Sequence, residues 1–327
     1  MTSETKGAAQ LTTAMVLSGT LGVFVVESGA APFDAVFFRV LFGALALGGY
    51  AAARGLLCGH GFTRRTFGLA VLGGVFIVLN WVLLFTSYEN TSISVATVVY
   101  HTQPFYVVLL GALLFRERLT AGKAGWIAVA FAGLVLVSGV DPGDFAGGGS
   151  YVLGIGQALL AALLYALSTL VTKRITGVRP HLVALVQVVV GIPLLLPFVA
   201  VPALPRALGL APAAQNAITG WDWAWLAGLG IIHTGVMYVL MYAAYARLPT
   251  AKIAVLAFVY PAVAMVADWT VYGHHIGPVQ ALGVPLIVAA GLRVTLARPA
   301  TAAPAPRTAA HAPEAASPSA MPAACEA

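Results

Sequence analysis

Polar residues in this chain do not alternate with apolar ones; they punctuate long apolar runs. The runs fall at about 12–29, 34–53, 67–87, 93–115, 124–140, 151–172, 182–203, 223–245, 252–273 and 279–297. Each is near the roughly 20 residues that an α-helix needs to cross the hydrocarbon core of a bilayer. Continuous apolarity over such lengths does not fit the shorter alternating strands of a membrane barrel. The pattern therefore predicts an all-α integral membrane protein with ten transmembrane helices, five in each half of the chain. The polar first ten residues lead straight into the first span, with no separate signal peptide expected.

The basic residues orient these spans. Lysine and arginine favour the cytoplasmic side of a membrane. With the N-terminus inside, the inner loops and span ends hold 15 of the 17 lysines and arginines, leaving Arg206 in an outer loop and Arg39 within a span. One span more or fewer would scramble that asymmetry. Both termini are thus expected in the cytoplasm, in the plasma (inner) membrane of a cell.

An internal repeat accompanies the pattern. Tyr88 and Pro104 align with Tyr245 and Pro261 at an offset of 157, and Gly125 and Gly133 with Gly283 and Gly291 at 158. Pro32 and Arg39 align with Pro180 and Gln187 at 148. An odd number of spans per half places the second copy upside down, a common plan for alternating-access carriers. The organisation expected is a short N-terminal segment (1–11), a first repeat (12–140), a second inverted repeat (151–297) and a disordered cytoplasmic tail (298–327). The tail turns to Ala, Pro, Ser and Thr, a composition that cannot bury a core.

Composition narrows the function classes. The chain is 60% hydrophobic and 9% charged, with a mean hydropathy of +0.92, far from the roughly 25% charged residues of soluble domains. The net charge of +6 is accounted for by loop placement, so no nucleic-acid partner is expected. Cys58 and Cys325 suggest neither a disulfide framework nor a metal site. No phosphate-binding loop is visible, so direct use of ATP is not expected, and no cofactor or metal is implied.

Several stretches resemble a known family. Pro32 to Arg39 at the second span, TSISVATVVYHTQPF running to Pro104, FRERLTAGKAGWIAVAFAGLVLV with Glu117, VYPAVAMVADW and GVPLIVAAG are together similar to the EamA-type proteins of the drug/metabolite transporter superfamily. The resemblance covers about 11–297. It implies ten helices in two inverted five-helix halves, and transport of a metabolite without naming it. Gly273-His274-His275 stands where the second half of the family usually repeats the glutamate.

Ionisable groups inside a membrane cost about 2.5–3.5 kcal/mol each on insertion scales and tend to face a wet cavity or one another. Glu27 and Arg39 lie at similar depth in adjacent spans, so a Glu27–Arg39 ion pair is expected, either fixing the hairpin or serving substrate. Asp268 is the second membrane carboxylate, and capping near the interface is its plain alternative. His101 and His233 lie deep and could relay protons, although neutral interhelical hydrogen bonding is commoner. Asn80 and Trp81, with Tyr238 and Tyr242, form a polar and aromatic set able to line a cavity. Pro104 and Pro261 are expected to interrupt their helices at matching places and act as hinges.

The function expected is secondary-active or facilitative export or exchange of a small metabolite such as an amino acid or amine. Efflux of cationic drugs is the alternative within transport, and an intramembrane enzyme the alternative outside it. The partners expected are a small-molecule substrate, the lipid bilayer, protons as a candidate coupling ion, and a second copy of the chain through the fifth and tenth spans.

Overall fold

The computed structural model describes residues 2–115, 121–138, 149–201, 203–204, 217–248, 252–253, 256–257 and 259–296. Glu117 and the tail from 298 lie outside them. The helices are α1 (Ser3–Glu27), α2 (Pro32–Ala53), α3 (Arg64–Asn90), α4 (Ile93–Tyr100), α5 (Gln103–Phe115), α6 (Ala121–Ser138), α7 (Ser150–Thr172), α8 (Pro180–Ala200), α9 (Asp222–Gly230), α10 (Met237–Tyr245), α11 (Val259–Tyr272) and α12 (Pro278–Leu296). A π-helical turn, Ile231–Val236, joins α9 to α10. Seven stretches among the described residues are long and apolar enough to cross a membrane: α1, α2, α3, Ile93–Gly111, α7, α8 and Asp222–Tyr245. Gly125–Leu136 and Pro278–Arg293 are shorter apolar helices, at the places of the expected fifth and tenth spans.

Three of the expected runs take a different form. The first span starts at Ser3 rather than near residue 12, because Thr2 caps it by accepting from the Thr5 backbone N–H at 3.2 Å. Its polar first turns then dock on the end of α10, where Arg247 Nη1 donates to Gln10 Oε1 at 3.2 Å. The fourth span breaks at His101–Thr102, and Pro104 falls in the first turn of α5. Proline is tolerated there because a first-turn N–H has no intrahelical partner. The ninth span breaks correspondingly at Ala257, and Pro261 falls in the first turn of α11. The two prolines thus begin helices instead of kinking them, at matching places in the two halves.

The packing obeys the repeat. α3 lies on α7 as α9 and α10 lie on α1; α4 and α5 lie on α7 as α11 lies on α1; α3 lies on α8 as α9 and the π turn lie on α2. The remaining large contacts, α2 with α8 and α6 with α12, join equivalent helices to each other. α2 and α8 run antiparallel. Phe33 stacks on Phe198 with centroids 4.9 Å apart at one end, Val40 faces Gly191 in the middle, and Tyr50 meets His181 at 5.7 Å at the other. Equivalent helices that run in opposite directions are what an inverted repeat requires.

Glycine permits the closest approaches. A Cβ on Gly73 would lie 2.7 Å from Gln187 Nε2 on α8, and one on Gly230 would lie 2.7 Å from the Gly43 backbone nitrogen on α2 and collide with Phe42 Cβ. Gly73 and Gly230 are 157 residues apart, the offset of the repeat. Small residues at such crossings let backbones meet, and packing of this kind holds helices together where lipid removes the hydrophobic drive between them.

Overpacking such a contact costs about 1–3 kcal/mol. Gly230→Ala is therefore expected to lower the thermal unfolding midpoint in detergent micelles, followed by circular dichroism. Gly68→Ala, where an added Cβ meets nothing within 4 Å, is expected to leave the midpoint at or above that of the parent chain.

Candidate functional site

Between the two halves lies a cavity of about 180 Å³. Side chains from α1, α2, α3, α7 and α10 line it, with the chain breaks of the fourth and ninth spans. It extends from Arg39, Trp81 and Leu84 to Tyr245 and Ala257. Six aromatic side chains contribute to its walls: Trp81, Tyr100, Tyr165, Tyr238, Tyr245 and Tyr260.

Arg39 is the charged group of this cavity. It is 2% exposed, two turns into α2, and no carboxylate among the described residues lies within ion-pair distance of it. Its Nε donates to Thr234 Oγ1 at 3.0 Å. The guanidinium carbon lies 4.0 Å from the Trp81 ring centroid and 5.7 Å from that of Phe85. Stacking on aromatic faces replaces part of the lost hydration, worth about 0.5–2 kcal/mol depending on desolvation. The terminal amino groups of the guanidinium make no hydrogen bond among the described residues. A buried cation held by one hydroxyl and two rings is poised for an anion, since a guanidinium fork matches a carboxylate bidentately.

The repeat explains why one charge stands here. Gln187 occupies the place equivalent to Arg39, but its Nε2 donates to Thr172 Oγ1 at 2.8 Å within its own half. The two halves have diverged at this position into a guanidinium whose hydrogen bond crosses to the other half and an amide whose hydrogen bond stays in its own.

A second polar group faces the cavity from the break in the fourth span. Gln103 lines it, and its buried Oε1 has no hydrogen-bond partner among the described residues. An unpaired buried acceptor costs about 1–3 kcal/mol, and among the described residues Gln103 is the one side chain lining this cavity that carries such a group. Nearby, His101 Nδ1 lies 3.1 Å from Thr97 O, and its ring is 4.9 Å from that of Tyr260.

Of the residues singled out in the sequence, Arg39, Trp81, His101 and Tyr238 line the cavity. Asn80 stands behind it, spent on helix contacts: its Nδ2 donates to Ala161 O at 2.7 Å and its Oδ1 accepts from Tyr100 OH at 3.3 Å. It holds a cavity tyrosine in place. His233 is fully buried with both ring nitrogens engaged, Nε2 at 3.1 Å from Thr20 Oγ1 and Nδ1 at 3.3 Å from Gly228 O. It joins α1 to the π turn.

Glu27 and Asp268 lie off the cavity, and the expected Glu27–Arg39 pair is not formed. Glu27 is the exposed last residue of α1, and its Oε1 accepts from Tyr272 OH at 2.9 Å. Arg39 lies about two turns deeper along α2 and turns to Thr234 instead. The two side chains therefore stand at different depths, and nearness to one connection does not bring helical side chains together unless they share both depth and face. Asp268, fully buried, accepts from the Ser94 backbone N–H in the first turn of α4 at 2.9 Å, and its Oδ1 lies 3.0 Å from His274 Nδ1. A carboxylate at a helix N-terminus meets both unpaired N–H groups and the positive end of the helix dipole. Together these contacts tie the ends of α1, α4 and α11. Pro104 and Pro261 sit just beyond the breaks that admit Gln103 and Tyr260 to the cavity wall.

Tyr100, Gln103, Tyr165, Thr234 and Tyr260 belong to the site but were not among the residues expected there. Gln103 carried a signal, an amide next to a proline inside an apolar run. Thr234 carried none, because the π turn that aims it obeys no 3.6-residue period.

Comparison with known proteins places this architecture. The model of the EamA-like transporter family matches residues 5–139 and again residues 152–296. The uncharacterised transporter YxxF of Bacillus subtilis (strain 168) is 34% identical over 290 residues, 87% of each chain. An uncharacterised transporter of Archaeoglobus fulgidus is 25% identical over 285 residues, 86% of this chain and 94% of its own. A crystal structure at 20% identity has the same fold, with a TM-score of 0.59 over 90% of this chain and 98% of that one.

The Asp268 contact can be tested on stability. Asp268→Ala strands the buried Ser94 N–H and is expected to cost about 1–3 kcal/mol. Asp268→Asn, which keeps an acceptor oxygen, is expected to cost less. Unfolding midpoints of the three proteins in one detergent give the order.

Proposed function

This chain belongs to the EamA-like transporter family, a family of multi-pass membrane transporters, and from that premise we propose that it carries a small carboxylate-bearing metabolite, an amino acid fitting best, by alternating access. The observation that carries this reading is Arg39. A buried guanidinium without a carboxylate partner among the described residues, its terminal donors left for the cavity, calls for an anionic group on the cargo. Gln103 lines the cavity, and a turn of its side chain brings its buried, unpaired Oε1 to a second group, the ammonium of an amino acid, without a protein carboxylate. The aromatic walls accept an apolar side chain by burial and stacking.

A purely cationic cargo fits less well. The two carboxylates that would favour it, Glu27 and Asp268, are tied to Tyr272 and to α4, and a cation entering the cavity meets Arg39. Amines and cationic drugs are thus the weaker reading.

Alternating access is the motion that inverted halves with a cavity at their interface support. In the proposed cycle the tied ends of α1, α4 and α11 part as the opposite end closes over Tyr245 and Ala257. The charge asymmetry of the loops favours both termini in the cytoplasm. On that orientation the cavity reaches toward the cytoplasmic side, which suits loading from within for export or exchange.

Proteoliposomes loaded with a labelled amino-acid panel test the reading. At least one carboxylate-bearing member is expected to show counterflow. Arg39→Gln is expected to lower its uptake at least about tenfold, the loss of one charge-assisted contact of about 1.5–3 kcal/mol. Arg39→Lys is expected to recover little, since an ammonium neither stacks nor forks as a guanidinium does. Unchanged uptake by the glutamine variant removes the anion site.

A further inference from the structure

The eighth span does not run straight past the cavity. It widens into the π turn Ile231–Val236, level with Arg39. Short π segments interrupt α-helices at some cost and recur at functional sites. Here the turn has two effects.

The first is on the facing of α10. One residue more or fewer in the turn would rotate α10 by about 100°, the angle per residue of an α-helix. Tyr238 and Met241 would then leave the cavity wall they now form.

The second is to aim a hydroxyl. Thr234 Oγ1 donates to Leu229 O at 3.3 Å, five residues back, a partner that matches the π register. That commits its one proton. The oxygen then faces Arg39 as an acceptor and takes the Nε–H at 3.0 Å. The methyl of Thr234 is wedged on Gly43, where an added Cβ would lie 2.7 Å from Thr234 Cγ2. The hydroxyl therefore cannot swing freely. With Nε held at one edge and Trp81 beneath the plane, the guanidinium keeps two terminal amino groups directed away from Thr234, in the arrangement that receives a carboxylate end-on with two parallel hydrogen bonds.

We propose that Thr234 is a positioning residue for anion recognition, the π turn being the device that presents its hydroxyl to Arg39. The proposal rests on the carboxylate reading above and deepens it: selectivity for a carboxylate over an uncharged head group depends on Thr234 although Thr234 does not itself touch the cargo. An unanchored guanidinium is still positive and still attracts anions, but it rotates out of the two-bond geometry. Thr234 thus governs discrimination between head groups of similar shape.

The experiment compares the parent chain with Thr234→Val, Thr234→Ser and Arg39→Gln in proteoliposomes. The probes are matched acid and amide pairs: any amino acid that shows counterflow in the panel above and its amide, L-phenylalanine and its amide, benzoate and benzamide, and lactate and lactamide. For every pair whose acid the parent transports, Thr234→Val is expected to raise KM for the acid about tenfold with little change in Vmax. It is also expected to reduce the acid-over-amide preference by a similar factor, the loss of about 1.4 kcal/mol. Thr234→Ser, which keeps the hydroxyl but not the methyl wedged on Gly43, is expected to restore most of both. A merely structural role would lower Vmax or the amount of folded protein and leave the preference in place. If Thr234→Val proves unstable in detergent, Thr234→Ala removes the hydroxyl without adding volume and serves in its stead. A valine or alanine variant with parental KM and preference, beside an Arg39→Gln variant that has lost both, overturns the positioning role and leaves the carboxylate site standing. If Arg39→Gln is also unchanged, or the parent transports none of the acids, both readings fall.

Discussion

The buried guanidinium of Arg39 is the constraint around which the rest of this membrane bundle is arranged. An unshielded charge at that depth would be expelled or would draw water in. The protein instead lays it on the Trp81 ring and anchors one edge to Thr234. Those two contacts come from α3 and from the π turn, helices of different halves. The charge is therefore supported by both repeats, although it is carried by one. Satisfying it requires α2, α3 and the eighth span to converge, and Gly43 and Gly230 are what allow α2 and the eighth span to come so near.

The duplicated frame and the divergent interior separate two kinds of information. Contacts that hold the bundle, such as α2 on α8 or α3 on α7, recur under exchange of the halves. Contacts within the cavity do not. Arg39 faces Thr234 in the other half, whereas Gln187 is satisfied by Thr172 in its own. Likewise, Trp81 and Tyr238 occupy equivalent positions and both reach the cavity, yet only the indole lies under the guanidinium. Symmetry builds the container, and its breaking gives the container chemistry.

Much of the fold was legible in the pattern of apolar runs and basic loops, because the bilayer imposes a length and a charge asymmetry that a single chain cannot hide. The repeat was legible through prolines and glycines, whose backbone roles survive when side chains drift. What stayed hidden depended on facing. Glu27 and Arg39 looked like a pair because both stand near one short connection, but they sit on different faces at different depths. Asp268 looked like a cavity acid, and the structure spends it on the N-terminus of α4. Polar residues within an apolar run can turn to any neighbour, and Asn80 and Gln103 show both outcomes, one consumed between helices and the other left open. The π turn shifts register by a residue, which no regular period discloses, so Thr234 could not be placed beforehand.

The exchange of arginine for glutamine between the halves has a geometric consequence. Two copies with the same side chain would have furnished a hollow with interchangeable poles, indifferent to which way round a guest lay. With the charge on α2 alone, the hollow has a head and a tail. On the carboxylate reading proposed above, an elongated guest with unlike ends adopts one orientation inside it and keeps that orientation whichever face of the membrane it came from.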